Sequence, residues 1–266
     1  MLCFTALCPH PMMAMPTLES TQINQIKKTI QAMEDLSVLI KKNQIQTIVI
    51  MSPHGPMRYD RFTINLEKDL SGSFADFGLI KNEFYDFKGD ADLGKKILHH
   101  LQKENFPIDP IREDNIDYGS LIPLHYLSKN LPEKPKIILL TYTELDWNFH
   151  FGFGKAIRKV VDEEEKNIAF IASGDLSHRL STESPAGYSP YGAKFDQTLM
   201  ELLKKNEIEK IIRLNPEFCK EIQECGLKSI ITALGLLSFN KVSFVKLAYE
   251  YPLGVGYLTG YWKNGR

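Results

Sequence analysis

The sequence is short of cysteine, of excess charge and of long apolar runs, and each shortage excludes a class of protein. Its four cysteines among 266 residues form no CxxC pair, which argues against a disulfide-stapled secreted scaffold and for a reducing cytoplasm. Lys and Arg total 32 against 33 Asp and Glu, so the net charge of −1 creates no field that would attract nucleic acid. Apart from the start of the chain, the longest apolar stretch is residues 229–239, well short of the roughly 20 residues that span a bilayer. We therefore expect a cytoplasmic protein that binds neither nucleic acid nor membrane.

The apolar start of the chain, residues 1–16, does not have the form of a signal peptide. It lacks a basic leading segment and is interrupted by Pro9 and Pro11. We expect no export from this segment.

Two hydrophobic periods alternate along the chain, and this alternation predicts an α/β fold. Apolar runs predict strands at residues 2–7, 47–51, 136–142 and 167–173, with a closing pair at 241–250 and 254–262. Three- and four-residue spacings predict helices at 20–42, 90–103, 119–128, 154–164 and 191–204. With no repeat and no linker, we expect one domain over residues 1–266. Its centre should be a mixed, largely parallel sheet flanked by helices and closed by an antiparallel strand pair at the carboxyl end of the chain.

Three histidines stand shortly after predicted strands, where ligands gather in open α/β sheets. They are His10, His54 and His178. The first two lie between prolines or glycine, in Pro-His-Pro and Pro-His-Gly-Pro, and these neighbours restrict the local backbone. Large sequence separations therefore do not prevent the three imidazoles from sharing one crevice.

Glu250 ends an otherwise apolar strand, where a carboxylate is costly unless it is paired or bound to a metal. Two histidines and one carboxylate from three strand ends would form the facial set used by non-haem Fe(II) oxygenases. The same ligand types equally allow zinc with a bound water. Spacing alone leaves both metals open.

Five ordered motifs carry a resemblance that runs from about residue 4 to 262. They are CPHP at 8–11, SPHGP at 52–56, DYGSLIPL at 117–124, ASGDLSH at 172–178 and YEYPLGVGY at 249–257. Together they resemble the LigB superfamily, the class III extradiol ring-cleaving dioxygenases, and most of all its branch in the AmmeMemoRadiSam system, which includes the Memo-like proteins. The resemblance implies that His10, His54 and Glu250 bind a ferrous ion. It also implies that His178 is the acid/base residue and that Asp175 orients it.

The chain departs from this pattern at Tyr118. Ring-cleaving relatives usually carry Asp-His-Gly where this sequence has Asp117-Tyr118-Gly119, so a substrate-facing histidine is replaced by a phenol. This replacement weakens the expectation of catechol cleavage. Many AmmeMemoRadiSam proteins also carry a second fused domain, and the sequence ends at Arg266, so we expect that a partner protein could supply it.

The remaining candidates are weaker. His125, His99 and His100 fall on helical stretches where packing or solvation explains them. His150 precedes a GxG that lacks the third glycine of a dinucleotide site, so we interpret it as a helix entry. Cys225-Gly226 is typical of a helix terminus, and its distance from Cys219 argues against a metal pair.

Three functions follow as hypotheses. The first is an Fe(II)-dependent dioxygenase, with zinc or copper as alternative metals, that acts with O2 on a catechol-like diol. Its rival is a Memo-like metal protein with a redox or protein-interaction role and no ring cleavage. The third, a binding module without metal, would make His10, His54 and Glu250 coincidental. In each case we expect a homo-oligomer.

Overall fold

An eight-stranded mixed sheet forms the centre of the protein in a computed structural model that describes residues 1–15, 23–74 and 84–265. Its strands are β1 (Leu2–Cys8), β2 (Thr47–Ser52), β3 (Phe62–Asn65), β6 (Ile108–Ile111), β7 (Lys136–Thr141), β8 (Ile168–Ser173), β9 (Val242–Glu250) and β10 (Tyr257–Asn264). Their order across the sheet is β6-β3-β7-β2-β8-β1-β10-β9. A separate antiparallel pair consists of β4 (Asp69–Ser73) and β5 (Phe84–Lys88).

The four central strands run parallel, and their apolar runs are buried on both faces. β8 pairs in parallel with β1 and β2, and β2 pairs in parallel with β7. Alternate side chains of β2 enter opposite cores: Val49 and Met51 pack on one face, Ile48 and Ile50 on the other. Antiparallel pairing of β1 with β10 and of β10 with β9 closes the sheet. The predicted fold class is therefore confirmed.

Helices cover both faces of the sheet. They are α1 (Lys27–Lys42), α2 (Ala91–Lys103), α3 (Tyr118–Ser128), α4 (Trp147–Asp162), α5 (Pro190–Lys205), α6 (Ile208–Ile212), α7 (Pro216–Glu221) and α8 (Leu227–Leu237). α1 and α3 pack on one face, and α2, α4, α5 and α8 contribute to the core on the other. In the described part of the chain, no helix combines the length and apolar character that crossing a membrane requires.

The structure differs from the sequence prediction around His150. The helix predicted at 154–164 begins at Trp147, because the Asp146 side chain accepts hydrogen bonds from the backbone N–H groups of Asn148 and Phe149 and so caps it. The GxG of residues 152–154 therefore lies inside a helix instead of opening one. The first residues of the helix predicted at 20–42 lie outside the described residues.

This topology brings four strand ends to one edge. Because β1, β8, β2 and β7 are parallel neighbours, the residues that follow them emerge at the same side of the sheet. His10 follows β1, His54 follows β2, and the segment with Asp175 and His178 follows β8.

Candidate metal centre

Two imidazoles meet above the carboxyl edge of the sheet. The Nε2 atoms of His10 and His54 are 3.1 Å apart, and the two rings are nearly perpendicular, at 86°. His10 is 2% exposed, whereas His54 reaches the surface. The structure thus brings together the two histidines that the sequence predicted as ligands.

A buried serine fixes which nitrogen of His10 faces this cluster. Ser173 Oγ donates its hydrogen to the carbonyl oxygen of Gly119 at 2.5 Å, so toward His10 Nδ1, 2.9 Å away, it acts as acceptor. Nδ1 therefore carries the hydrogen of the neutral imidazole, and Nε2 presents its lone pair to the cluster. This is the arrangement in which a metal-ligating histidine is oriented by its other ring nitrogen.

Cys225 supplies the third donor beside the two imidazoles. Its Sγ lies 3.6 Å from His10 Nε2, and the donor atoms of His10, His54 and Cys225 all fall within 4.8 Å of one another. Tetrahedral ligands at about 2.1 Å for nitrogen and about 2.3 Å for sulfur would be separated by about 3.4 Å (N to N) and about 3.6 Å (N to S). The distance from His10 Nε2 to Cys225 Sγ equals the tetrahedral value, and the 3.1 Å between the two Nε2 atoms is about 0.3 Å shorter than it, so a small adjustment would let the three side chains hold a single metal ion.

Glu250 lies elsewhere. Its Oε2 accepts hydrogen bonds from the backbone N–H of Thr29 at 2.8 Å and from Thr29 Oγ1 at 2.9 Å, in the first turn of α1. A carboxylate at a helix N-terminus is stabilised by the unpaired N–H groups there. Glu250 belongs to neither group of potential ligands among the described residues, so the structure does not bring it to His10 and His54.

Tyr118 covers the open side of His54. Its hydroxyl is 2.7 Å from His54 Nε2, and the two rings stack with centroids 4.2 Å apart. Tyr118 is the first residue of α3, and Asp117 caps that helix by accepting from Ser120 N–H. The close approach requires Gly119: a Cβ there would lie 2.6 Å from Ser52 Oγ and 2.9 Å from His54 Cδ2.

Asp175 and His178 form a second group that shares Cys225. Their donor atoms and Cys225 Sγ lie within 4.8 Å of one another. The carboxylate of Asp175 accepts the backbone N–H of His10 at 2.9 Å, so its hydrogen bond orients the His10 loop and not the His178 ring. His178 Nδ1 lies 3.1 Å from the carbonyl oxygen of Leu176. A carbonyl only accepts, so Nδ1 donates, and in the neutral imidazole the lone pair is on Nε2.

Burial sets the protonation states at the site. It lowers the pKa of His10 to about 3, with a smaller contribution from His178, and it lowers the pKa of His54 to about 4, with His10 acting in the same direction. Burial raises the pKa of Asp175 to about 6 and raises the pKa of the Cys225 thiol well above its usual range. Both imidazoles are therefore neutral at pH 7, as metal ligands must be.

The other histidines lie outside this cluster. His125 packs edge-on against the rings of Tyr85 and Tyr126. His150 is fully buried in α4, where Nδ1 lies 2.9 Å from the carbonyl oxygen of Asp146. His99 and His100 stand near the end of α2. These positions agree with structural roles.

Sequence reasoning missed Cys225 and Ser173. The Cys225-Gly226 pattern predicts a helix terminus, and Gly226 indeed precedes the first residue of α8. The missing step was the direction of α8, whose N-terminus lies against Gly174, at the carboxyl end of β8. A cysteine in the turn before a helix that starts at the ligand-binding edge is the signal that could have identified it.

The chain belongs to the LigB family. The family described as "Catalytic LigB subunit of aromatic ring-opening dioxygenase" matches residues 4–259. This match defines a dioxygenase-like protein, and enzymes of this class are typically metal-dependent and act on an aromatic substrate with O2.

Two relatives and one solved structure give the similarity in numbers. Protein CA_C1420 of Clostridium acetobutylicum is 34% identical over 260 residues, which cover 94% of this chain but 55% of that protein, so the chain spans about half of its relative's length. The 3,4-dihydroxyphenylacetate 2,3-dioxygenase of Escherichia coli is 23% identical over 224 residues, covering 80% and 81% of the two chains. The crystal structure of the uncharacterized protein JW3007 from Escherichia coli K12 shares the fold, with a TM-score of 0.69 at 15% identity over 97% of this chain and 98% of that one.

Proposed function

We propose that the protein is a metal-dependent dioxygenase of the class III extradiol, LigB-like type that acts on a catechol-like or other small aromatic diol. The observation that carries the proposal is the pair of neutral imidazoles whose Nε2 atoms lie 3.1 Å apart at the carboxyl edge of the sheet. Together with Cys225 Sγ, 3.6 Å from His10 Nε2, this pair offers one metal ion three donor atoms within 4.8 Å of one another.

The ligand set in this proposal is His10, His54 and Cys225. Cys225 replaces Glu250 because its sulfur lies beside His10 Nε2, whereas the Glu250 carboxylate is bonded to Thr29. Iron(II) is the metal that the family resemblance favours, and zinc or copper are the alternatives that a thiolate ligand admits. When bound, such an ion would supply Lewis-acid chemistry and, for iron or copper, electron transfer to oxygen.

His178 is the acid/base residue in this proposal. Because Nδ1 is occupied by the Leu176 carbonyl, Nε2 is the atom that can accept a proton from a substrate hydroxyl and later return it. Asp175 acts on the ligand side, since its carboxylate holds the backbone of His10. Burial raises the pKa of the Tyr118 hydroxyl, so this group stays protonated at neutral pH and does not act as a base. Its role in the proposal is to donate a hydrogen bond that positions an oxygen atom of the substrate or of O2.

A second candidate is the Memo-like metal protein without ring cleavage, and two observations favour it. The third donor is a thiol, a softer ligand than the carboxylate of the facial set. The phenol of Tyr118 stands against His54, where ring-cleaving relatives usually have a histidine. Both features would suit a metal used for redox chemistry or for a contact with another protein.

Metal content and oxygen uptake separate these functions. The protein is purified under anaerobic conditions, its metal is quantified, and oxygen consumption is followed with a panel of catechols after iron loading. Iron with diol-dependent oxygen uptake and a ring-opened product supports the dioxygenase. Bound metal without uptake on any diol supports the Memo-like alternative, and absence of metal after loading contradicts both.

A cytoplasmic location, a homo-oligomer and a partner protein of the AmmeMemoRadiSam type belong to the same proposal. The four cysteines, all within the described residues, are unpaired, as expected in a reducing compartment. Size-exclusion chromatography with light scattering tests the oligomer.

A further inference from the structure

A cavity of about 330 Å³ is lined in part by His54. Its wall includes two carboxylates and other polar or small residues on which the inference rests: His54, Gly55, Asn65, Glu113, Asp117 and Thr141. We propose that this cavity is a subsite for the ring substituent of the substrate, and that it takes an ammonium or hydroxyl group in preference to a carboxylate. The inference rests on the proposed diol function, because His54 belongs to both the metal centre and the cavity wall.

The cavity wall is acidic. Glu113 and Asp117 contribute two carboxylates, and no Lys or Arg is found among the described residues that line it. The arginines of the loop that follows β2 do not offset this charge, since Arg58 and Arg61 are both directed to Asp109, at 3.3 Å and 2.8 Å. A cationic substituent is attracted here and an anionic one is repelled.

A buried hydroxyl adds a hydrogen-bonding partner. Thr141 is 3% exposed, it lines the cavity, and its Oγ1 makes no hydrogen bond within the described ranges. Gly55 packs against this hydroxyl: a Cβ on Gly55 would lie 2.2 Å from Thr141 Oγ1 and 3.7 Å from Asp117 Oδ2, so no larger residue fits here unless the threonine moves. A polar substituent in the cavity would give this hydroxyl a hydrogen-bonding partner.

Hydrogen bonds hold the Asp117 carboxylate in place. Asp117 Oδ1 accepts from Ser52 Oγ at 2.5 Å, and its Oδ2 accepts from Ser120 Oγ at 2.8 Å. The amide of Asn65 donates to the backbone carbonyl oxygen of Glu113 at 2.7 Å, which fixes the Glu113 backbone but not its exposed carboxylate. Of the two negative charges, that of Asp117 is therefore the one held in place.

This subsite separates the protein from its relative that is named for 3,4-dihydroxyphenylacetate, whose ring substituent ends in a carboxylate. An exposed carboxylate typically raises the binding affinity of a nearby cation, or lowers that of an anion, by about threefold. Glu113 alone should therefore favour an ammonium over a carboxylate substituent by about tenfold. The substrate class that follows is a diol with an amine or hydroxyl side chain.

The test is anaerobic calorimetry on the iron-loaded protein with dopamine, 4-ethylcatechol and 3,4-dihydroxyphenylacetate. We expect dopamine to bind at least about tenfold more tightly than 3,4-dihydroxyphenylacetate, with 4-ethylcatechol between them. Glu113→Gln should reduce the ratio by about tenfold. Asp114→Asn is the control: it also removes one negative charge, one residue away and outside the cavity wall, and should change the affinity ratio by less than twofold. Equal or tighter binding of the carboxylate, or equal effects of the two variants, would overturn the inference and leave the diol function standing.

A second measurement removes the diol from the experiment. Phenethylamine and phenylacetate carry the two substituents without the hydroxyls, and their binding to the metal-free protein is followed by NMR shifts of Gly55 and Thr141. Shifts with the amine and none with the acid support the subsite whether or not diols are substrates. Shifts with the acid alone, or with neither, refute it.

Discussion

Replacing Ser173 by alanine tests the hydrogen-bond relay that orients His10. Ser173 Oγ accepts from His10 Nδ1 and donates to the Gly119 carbonyl, and the residue is fully buried. The variant leaves one donor and one acceptor unpaired, each worth about 1 kcal/mol or more. We expect a loss of about 2 kcal/mol in the free energy of unfolding. His10 would also lose the bond that fixes its tautomer, so metal affinity should fall by about 10- to 100-fold.

Urea unfolding and competition with a chelator measure the two effects on the same protein. Ser37→Ala is the matched control, because Ser37 is equally buried but its Oγ has no hydrogen-bond partner among the described residues. It should leave metal affinity unchanged and be neutral or slightly stabilising. If Ser173→Ala binds metal as tightly as Ser37→Ala, the relay does not orient a ligand and the reasoning about His10 is refuted.

Three further predictions address proton transfer, substrate choice and pH. His178→Asn should keep the metal and lose turnover by about 10²- to 10⁴-fold, measured as oxygen uptake with metal analysis; parallel loss of metal would make His178 a ligand. The unmodified protein should cleave simple catechols weakly, and Tyr118→His should raise that rate at matched iron loading; a lower rate would show that the phenol is a working part of the site. Burial raises the pKa of Asp196 to about 7, so the unfolded chain loses this proton near pH 4 while the folded protein keeps it up to about pH 7. As the pH rises from about 4 to about 7, the free energy of unfolding should therefore fall by up to about 1.4 kcal/mol per pH unit. Asp196→Asn should flatten urea midpoints over that window, and an unchanged slope would contradict the assignment.

The histidines could be placed from sequence because their position depends on local pattern. His10 and His54 each follow a continuous apolar run, and parallel strands bring their carboxyl ends to one edge whatever their order. The short strands β3 and β6 were not predicted, since four residues carry too little periodicity to be recognised.

Glu250 could not be placed, because its position depends on the order of strands across the sheet. It ends β9, which lies at the edge of the sheet, beyond β10 and two strands from β1. There its carboxylate meets the N-terminus of α1, a partner as suitable as a metal ion for a charge at a strand end. Nothing in the spacing of residues distinguishes a metal ion from a helix N-terminus as the partner of Glu250. Cys225 was missed for a different reason, because its position depends on the direction of α8.

X-ray absorption spectroscopy of the metal-loaded protein tests the ligand set most directly, because a thiolate and a carboxylate scatter at different distances. With His10, His54 and Cys225 as ligands, the first shell should contain one sulfur at about 2.3 Å and imidazole nitrogens at about 2.0 to 2.1 Å. Cys225→Ser, with the same metal, should lose the sulfur contribution. A first shell of only nitrogen and oxygen in the unmodified protein would contradict the account and return the third position to a carboxylate.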